Sequence, residues 1–468
     1  MGLIMSSFIK KTKAAIRAFH EGGKITKANQ DFWNAVSPFE ETAAPDRYIM
    51  TGRARWLKAN NPVMANIDGA IIDNVVRSGI QMQSKTKNRT FNRRVEKRFD
   101  MWASSKDSSI EGAINFYDGQ RVSLDARMVD GEMFIVMHDT IDGLKLQYIE
   151  MDQLHEIVYD AKGKATVYRF KNVSKDGLYY TTDYTEVKAE DVIHYYKSER
   201  PSQKRGISEY KRAILDIKNF AAYQDATIKA ARARAGIAYS VETEAGARKY
   251  GGMQDNDGKN IQAINGIMVY YLNRGEKLNV HAPDAAADDY KVFTETVIRM
   301  IATARRVSYE LAFKDYQHVN FASSRASLIQ DNYHFDEEFT HIVRNVLNIV
   351  YARWLKLEIA LGNLGVSFMA YKKSPDKYLA PRFIPPQRAW VDPLKDILAI
   401  EKEIALNLTT QTDVAQSRGK DFDEIVQRKK EEMEMLKEAG LWVELDGEKS
   451  QTQLIAEARA INSTLEEQ

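Results

Sequence analysis

Apolar positions along this chain change their period several times, and each change predicts a different kind of element. Residues 1–50 hold no sustained period, and Pro38 and Pro45 predict that no long helix forms there. From Arg53 the pattern turns helical, with Met64, Ile67, Ile71, Val75 and Val76 on one face and Gly79 as a stop. A second, charged helix is predicted over Asn88 to Trp102. Between Val122 and Tyr196 the period gives way to short apolar or aromatic runs such as "GEMFIVMH" and "ATVYRFKN". Asp142-Gly143, Lys162-Gly163 and Asp176-Gly177 punctuate them as turns, so this region reads as roughly five mostly antiparallel strands.

Three long helical patterns follow. The first, Gly206 to Ala235, carries Ile207, Tyr210, Ile214, Ile217, Ala221, Gln224, Ile228, Ala231 and Ala235 at alternating steps of three and four. That is a packing seam of heptad type. Lys229, Arg232 and Arg234 crowd its last turns, where cations favour the helix dipole. Residues 237–285 are polar and glycine-rich, with one strand-like run, "GIMVYYL". The second helix runs from Asp288 to about Leu311, with a seam of Tyr290, Phe293, Val297, Met300, Ala304, Val307 and Leu311. The third extends from about Ser324 to Leu361 on Phe335, Phe339, Ile342, Val346, Val350, Trp354 and Leu357. A proline-bearing connection, Pro375 to Pro393, leads into charged helices over 395–468. No internal repeat is visible.

Composition narrows what these elements do. A chain of 468 residues exceeds one compact core and suggests two to four domains. Its net charge of only +2 argues against a general, tight grip on nucleic acid. The absence of cysteine removes disulfides, thiolate metal sites and thiol catalysis together. No run approaches the roughly 20 apolar residues that span a bilayer. Gly2 and Ser6 fit the spacing of an acylation pattern, although a basic amphipathic start or a frayed terminus explains the same residues.

Candidate chemistry is sparse. "GGMQDNDGKN" has Met253 where a phosphate loop needs glycine and Asn260 where it needs a hydroxyl. Lys259 and Ile264 occupy liganding positions of a calcium loop. His334 and His341, seven apart on one helix, are too distant to share an ion, and no cofactor or metal is expected. Glu337-Glu338 reads as a solvated helix face. One cluster remains, "KDYQHVNFASSR", which gathers Asp315, His318, Ser323 and Ser324. It lacks the strained nucleophile turn of a serine hydrolase. Ser323 or Ser324 is expected instead to cap the long helix, a contribution of about 0.5–2 kcal/mol.

The order of these elements, with the motifs inside them, resembles the lambda-type portal proteins of tailed bacteriophages, including those of prophages and gene transfer agents. "RARWLKANNP" with "SGIQMQS" is similar to the family's first signature, and "DARMVDGEMFIVM" with "LKLQYIEMDQL" to its next block. "VIHYYKSERPSQKRGIS", "VSYELAFKDYQHVNFASSRASL" and "WVDPLKDILA" with "GKDFDEIVQRKKEEMEMLKEAGL" resemble later ones. Arg77 and Asn407 stand where the family pattern has glycine, each in a turn.

The resemblance implies a mainly helical α+β fold with a mixed wing, a two-helix stem, a small α/β clip, a long wing helix and a helical crown. It divides the chain into an arm (1–52), wing (53–205 and 324–400), stem helices (206–236 and 288–310), clip (237–287), tunnel loop (311–323) and crown with tail (401–468). It implies no activity of the chain's own. The expected assembly is a dodecameric ring at one capsid vertex of the virion, put together in the host cytoplasm. Double-stranded DNA would pass through it, weakly bound, during packaging and ejection. Expected partners are the terminase large subunit, a head–tail adaptor, and the major capsid and scaffolding proteins; no membrane is implied. Lys314, Gln317, His318 and Asn320 would be the side chains nearest the duplex, with Tyr316 and Phe321 anchoring the loop to the wall. Two other classes remain compatible with the residues: a non-viral helical scaffold or adaptor, and a serine hydrolase using Ser323 with His318.

Overall fold

A computed structural model describes residues 37–236, 239–242, 253–254, 260–264, 267–272, 287–316, 321–387, 393–418, 420 and 422–441. Contrary to the reading of an unstructured start, helix α1 spans Phe39–Asn60 with Pro45 inside it. Its inner face is Phe39, Ala43, Arg47, Thr51, Ala54 and Leu57. Two of those six positions are polar, so no apolar period announced the helix. Arg47 is nonetheless satisfied, donating to the Gly206 carbonyl at 2.9 Å and pairing with Glu40.

Helix α2 (Pro62–Val75) begins where proline is pre-organised for N1, and the Asn61 side chain accepts from the amides of Val63 and Met64. It buries Met64, Ile67, Ile71, Ile72 and Val75, together with Asp68. Strand β1 (Gln81–Ser84) pairs with a distant partner, Pro381–Ile384, in antiparallel register. Helix α3 (Arg89–Ser104) buries Phe91, Val95, Phe99 and Ala103 at steps of four. The predicted strand region starts later than Val122, because Phe116–Asp130 is helix α4, ended by Gly131 at φ 96°.

Six strands then form two antiparallel sheets of three. In the first, β2 (Glu132–Thr140) lies between β3 (Gly143–Ile149) and β7 (Val192–Tyr196). In the second, β5 (Ala165–Val173) lies between β4 (Leu154–Tyr159) and β6 (Tyr180–Lys188). The predicted glycine turns are present, with Gly143, Gly163 and Gly177 all at positive φ. Phe134, Val136, Ile149, Leu154, Tyr168 and Phe170 form a small core of their own. The main core gathers α2, α3, α4 and the long helix around Phe99, Phe116, Tyr351 and Trp354, with the Phe99 and Trp354 rings edge to face at 4.9 Å.

The first predicted long helix starts eight residues late, as α5 (Ile214–Gly236). Gly206 cannot be helical in its setting. Its amide donates to Glu132 at 2.7 Å, and a methyl there would strike the Gly131 carbonyl. Beyond α5 the described segments form a four-stranded sheet in the order Tyr239–Glu242, Ile267–Leu272, Asn260–Ile264 and Met253–Gln254, numbered β8, β11, β10 and β9.

Helix α6 (Ala287–Ala304) stops well short of Leu311. Arg306, at φ 59°, takes the left-handed position past its end, and the Val307 amide reaches back to the Ala302 carbonyl. Ser308 then caps a separate short helix, α7 (Tyr309–Phe313). The third long pattern is continuous, as α8 (Phe321–Ile342), a π turn (Val343–Leu347) and α9 (Asn348–Ala360). Its seam explains the π turn. Ile342, Val346, Val350 and Trp354 recur every fourth residue, which overruns one α-helical face by about 120° over three steps. An extra residue in one turn recovers most of that drift, and all four side chains are buried. The Asn345 side-chain amide donates to the His341 carbonyl at 2.8 Å in this stretch.

After α10 (Phe368–Lys373) and strand β12 (Pro381–Ile384) come α11 (Pro393–Ala405), α12 (Gln411–Ser417) and α13 (Phe422–Glu438). Helix α13 buries none of its side chains in this chain.

Candidate functional site

Three features meet at the root of the α5–α6 pair. The first is the helix pair itself. Tyr223 packs on Tyr290 and Phe293 at 5.9 and 4.3 Å between ring centroids. The seam read for α6 proves to be only half of its apolar surface. Ile298, Ile301 and Ala302 face the core, while Val292 and Met300 are 64% and 52% exposed. The first seam is buried at Tyr210, just before α5, and at Ile214 and Ile217 on it, yet Ile228 is 50% exposed. Two apolar stripes on one helix look alike in sequence, so periodicity could not say which one the chain itself covers. Lys229, near the end of α5, is exposed beside Asp225 at 2.6 Å.

The second feature is a chain of charges, buried at its centre and exposed at one end. Arg305, just past α6, donates to Asp68 of α2 at 2.9 Å and to Glu209, just before α5, at 2.7 Å. Arg127 of α4 bridges Glu209 to Glu338 of α8. Lys197, after β7, reaches Glu338 at 2.9 Å and Glu337 at 2.6 Å. Arg306 closes the row on Glu337 at 2.8 Å. The Tyr210 hydroxyl donates to Asp68. Arg127, Arg305, Asp68 and Glu338 each have side chains only 1% exposed. Burial pushes Asp68 up, against the pull of Arg305 and Tyr210. Burial pushes Glu209 and Glu338 up, but the combined pull of Arg127 and Lys197, with Arg305 on Glu209, holds both carboxyls below their ordinary range. Glu337–Glu338 is therefore not simply a solvated face: Glu338 points inward as the acceptor that Arg127 and Lys197 require.

His334 and His341, on the same helix as Glu338, are both depressed to about 4 by burial. His341 lies against Tyr195, and His334 beside Glu338 at 4.0 Å. Among the described residues, no group of three His, Cys, Asp or Glu is placed to hold a metal ion.

The third feature is the turn after α7. Lys314 takes φ 56° and exposes its side chain, and the Tyr309 hydroxyl donates to Asp315 at 3.4 Å. Gln317, His318 and Asn320, expected to flank DNA, lie outside the described residues, as does the side chain of Phe321. Tyr316 is 59% exposed within the chain. The capping role expected of Ser323 and Ser324 is corrected. Helix α8 already begins at Phe321, which puts both serines inside its first turn, past the N-cap position. Phe321 and Ala322 present no proline or glycine that would delay the helix start.

These elements define a mainly helical α+β chain whose exposed apolar helix pair is rooted by ions in its larger body. The chain belongs to the lambda family of phage portal proteins: the profile described as "Phage portal protein, lambda family" matches residues 27–338. It is 22% identical over 430 residues to the "Probable portal protein" of Halomonas phage phiHAP-1, covering 85% of this chain and 82% of that one. It is 21% identical over 274 residues to "Portal protein B" of Escherichia phage lambda, covering 53% and 51%. Among solved structures, a chain of the neck of an empty gene transfer agent particle aligns with a TM-score of 0.43 at 12% identity, over 80% of this chain and 94% of that one. Among the described residues, no helix is long and apolar enough to cross a membrane.

Proposed function

We propose that copies of this chain close into a ring at one capsid vertex and form the conduit through which double-stranded DNA is packaged and later ejected. One observation carries the reading: in a portal-family chain, α5 and α6 keep a second apolar stripe, Ile228, Val292 and Met300, open to solvent. Identical helices packing side by side around a closing, heterologous interface would cover it. In this reading α5 and α6 are the stem, the β8–β11 segment is the clip, and the helices from α11 onward lead into the crown. Twelve copies are expected, with the terminase large subunit and then a head–tail adaptor docking at the clip, and capsid and scaffolding proteins around the wing. The chain supplies no catalysis, and the motor's energy comes from its partner.

With 67 basic and 65 acidic residues, the chain is close to neutral overall. A weakly charged lining releases few counterions per subunit and lets the duplex slide. Lys314, with Gln317, His318 and Asn320, would touch phosphates through single, breakable hydrogen bonds. Particle imaging tests the reading, which requires a closed ring with an axial hole. Deleting Gln317–Asn320 should leave that ring intact and impair packaging; a monomeric particle, or nanomolar duplex binding at physiological salt, contradicts it.

A further inference from the structure

Helix α7 is a five-residue helix between the stem and the turn at Lys314, too short to hold its own shape. Both of its ends are tied to longer helices. At its start, the Asp331 carboxylate of α8 accepts from the Ser308 amide at 2.7 Å and from its hydroxyl at 2.6 Å. Ser308 in turn accepts from the Leu311 amide at 3.3 Å. At its end, the Asn66 side chain of α2 donates to the Leu311 carbonyl at 2.8 Å and the Ala312 carbonyl at 3.0 Å. Those carbonyls belong to the last turn, which has no intrahelical partners. Asp331 is 4% exposed and Ala312 2%, so this base is packed as well as bonded.

We infer that Asn66 and Asp331 are positioning residues that fix both ends of α7, so that the Lys314–Tyr316 turn is presented on a rigid base. Anything passing against the turn then displaces the chain beyond Phe313, starting at the left-handed Lys314, and leaves α7 in place. The inference rests on the proposed reading that this turn faces DNA, but its geometric part stands apart from it.

The chemistry of the two anchors makes the test specific. An amide at 66 offers two donors to two carbonyl oxygens. Asn66→Asp would set a carboxylate against both, and should loosen the turn more than Asn66→Ala, the reverse of what a purely space-filling role predicts. Asp331→Asn still accepts from the Ser308 amide and donates to its hydroxyl, so it should behave as the parent, whereas Asp331→Ala should not.

These 468 residues include no cysteine, so Tyr316→Cys accepts a single spin label at an exposed site. Label mobility in the assembled ring would be read beside the packaging rate with terminase. The expected result is a shorter correlation time and slower packaging in Asn66→Asp and Asp331→Ala, with Asp331→Asn restored to the parent values. Unchanged mobility in Asn66→Asp overturns the positioning inference, whatever packaging does. Asp331→Asn as loose as Asp331→Ala overturns the role given to Asp331. A mobile label with an unchanged packaging rate supports the anchors and overturns the DNA-facing reading of the turn.

Discussion

Arg305 and Asp68 meet at 2.9 Å although 237 residues separate them in sequence, and each side chain is only 1% exposed. The pair ties the foot of α6 to the middle of α2, and Glu209 extends the tie to the foot of α5. The roots of α5 and α6 are thus held by one guanidinium.

Breaking that pair from one side should be costly. Arg305→Met leaves Asp68 buried without its cation and takes one of two cations from the partly exposed Glu209, and a loss of about 3–5 kcal/mol is expected. Adding Asp68→Leu removes the stranded charge and should recover part of the loss. Chemical denaturation of the two variants and the parent checks this. Equal stability of Arg305→Met and the parent would show that the ions contribute nothing to the root.

Acid should loosen the same region before it titrates ordinary carboxylates. His334 and His341 sit at about 4 in the folded chain against an ordinary value of 6.5. The unfolded chain therefore binds protons first, and the stability these groups hold above pH 6.5 is lost as pH falls from 6.5 toward 4. At pH 5 this amounts to about 2 kcal/mol per histidine. His334 faces Glu338, Arg306, Glu209 and Lys197, and His341 faces Arg127 and Tyr195 beside the same glutamates and lysine. Asp68, Asp130 and Asp331, raised by burial, act in the opposite sense. The histidine part is therefore isolated with His334→Asn and His341→Asn. The double variant should lose less stability than the parent between pH 7.5 and 5, and parallel curves would reject the assignment.

Local rules carried much of this fold in the sequence. The α2 face, the glycine turns and the long-helix seam all follow from spacing of a few residues. Arg77 and Asn407, standing where the family pattern has glycine, both prove to lie at φ 55°. The left-handed region costs a non-glycine residue about 1–2 kcal/mol, partly offset by the greater freedom glycine has when unfolded. Arg77→Gly and Asn407→Gly should each raise stability by about 0.5–1 kcal/mol, read from the thermal midpoint. A fall in midpoint would mean that their side chains matter more than their backbones.

The site was less legible, for a physical reason. Asp68 follows Ile67 on an apolar face, and nothing near it in sequence signals Arg305. Glu338 looked like the outer half of an exposed pair because its partners, Arg127 and Lys197, come from α4 and the segment after β7. Charge networks of this kind are assembled by tertiary packing, and periodicity is blind to them. Capping failed differently: a hydroxyl near a helix start is informative only once the start itself is known to the residue.

The outward apolar stripe on α6 gives the sharpest check of assembly. Val292 and Met300 are exposed in the single chain, so Val292→Glu and Met300→Glu should change its unfolding free energy by no more than about 0.5 kcal/mol. In a ring the same positions would be pressed against a neighbour, and a carboxylate there would be buried without a partner. Native mass and particle imaging should then find folded monomers or open fragments in place of rings. Rings that form as readily as the parent's would place the subunit interface elsewhere and leave the apolar stripe of α6 without a role.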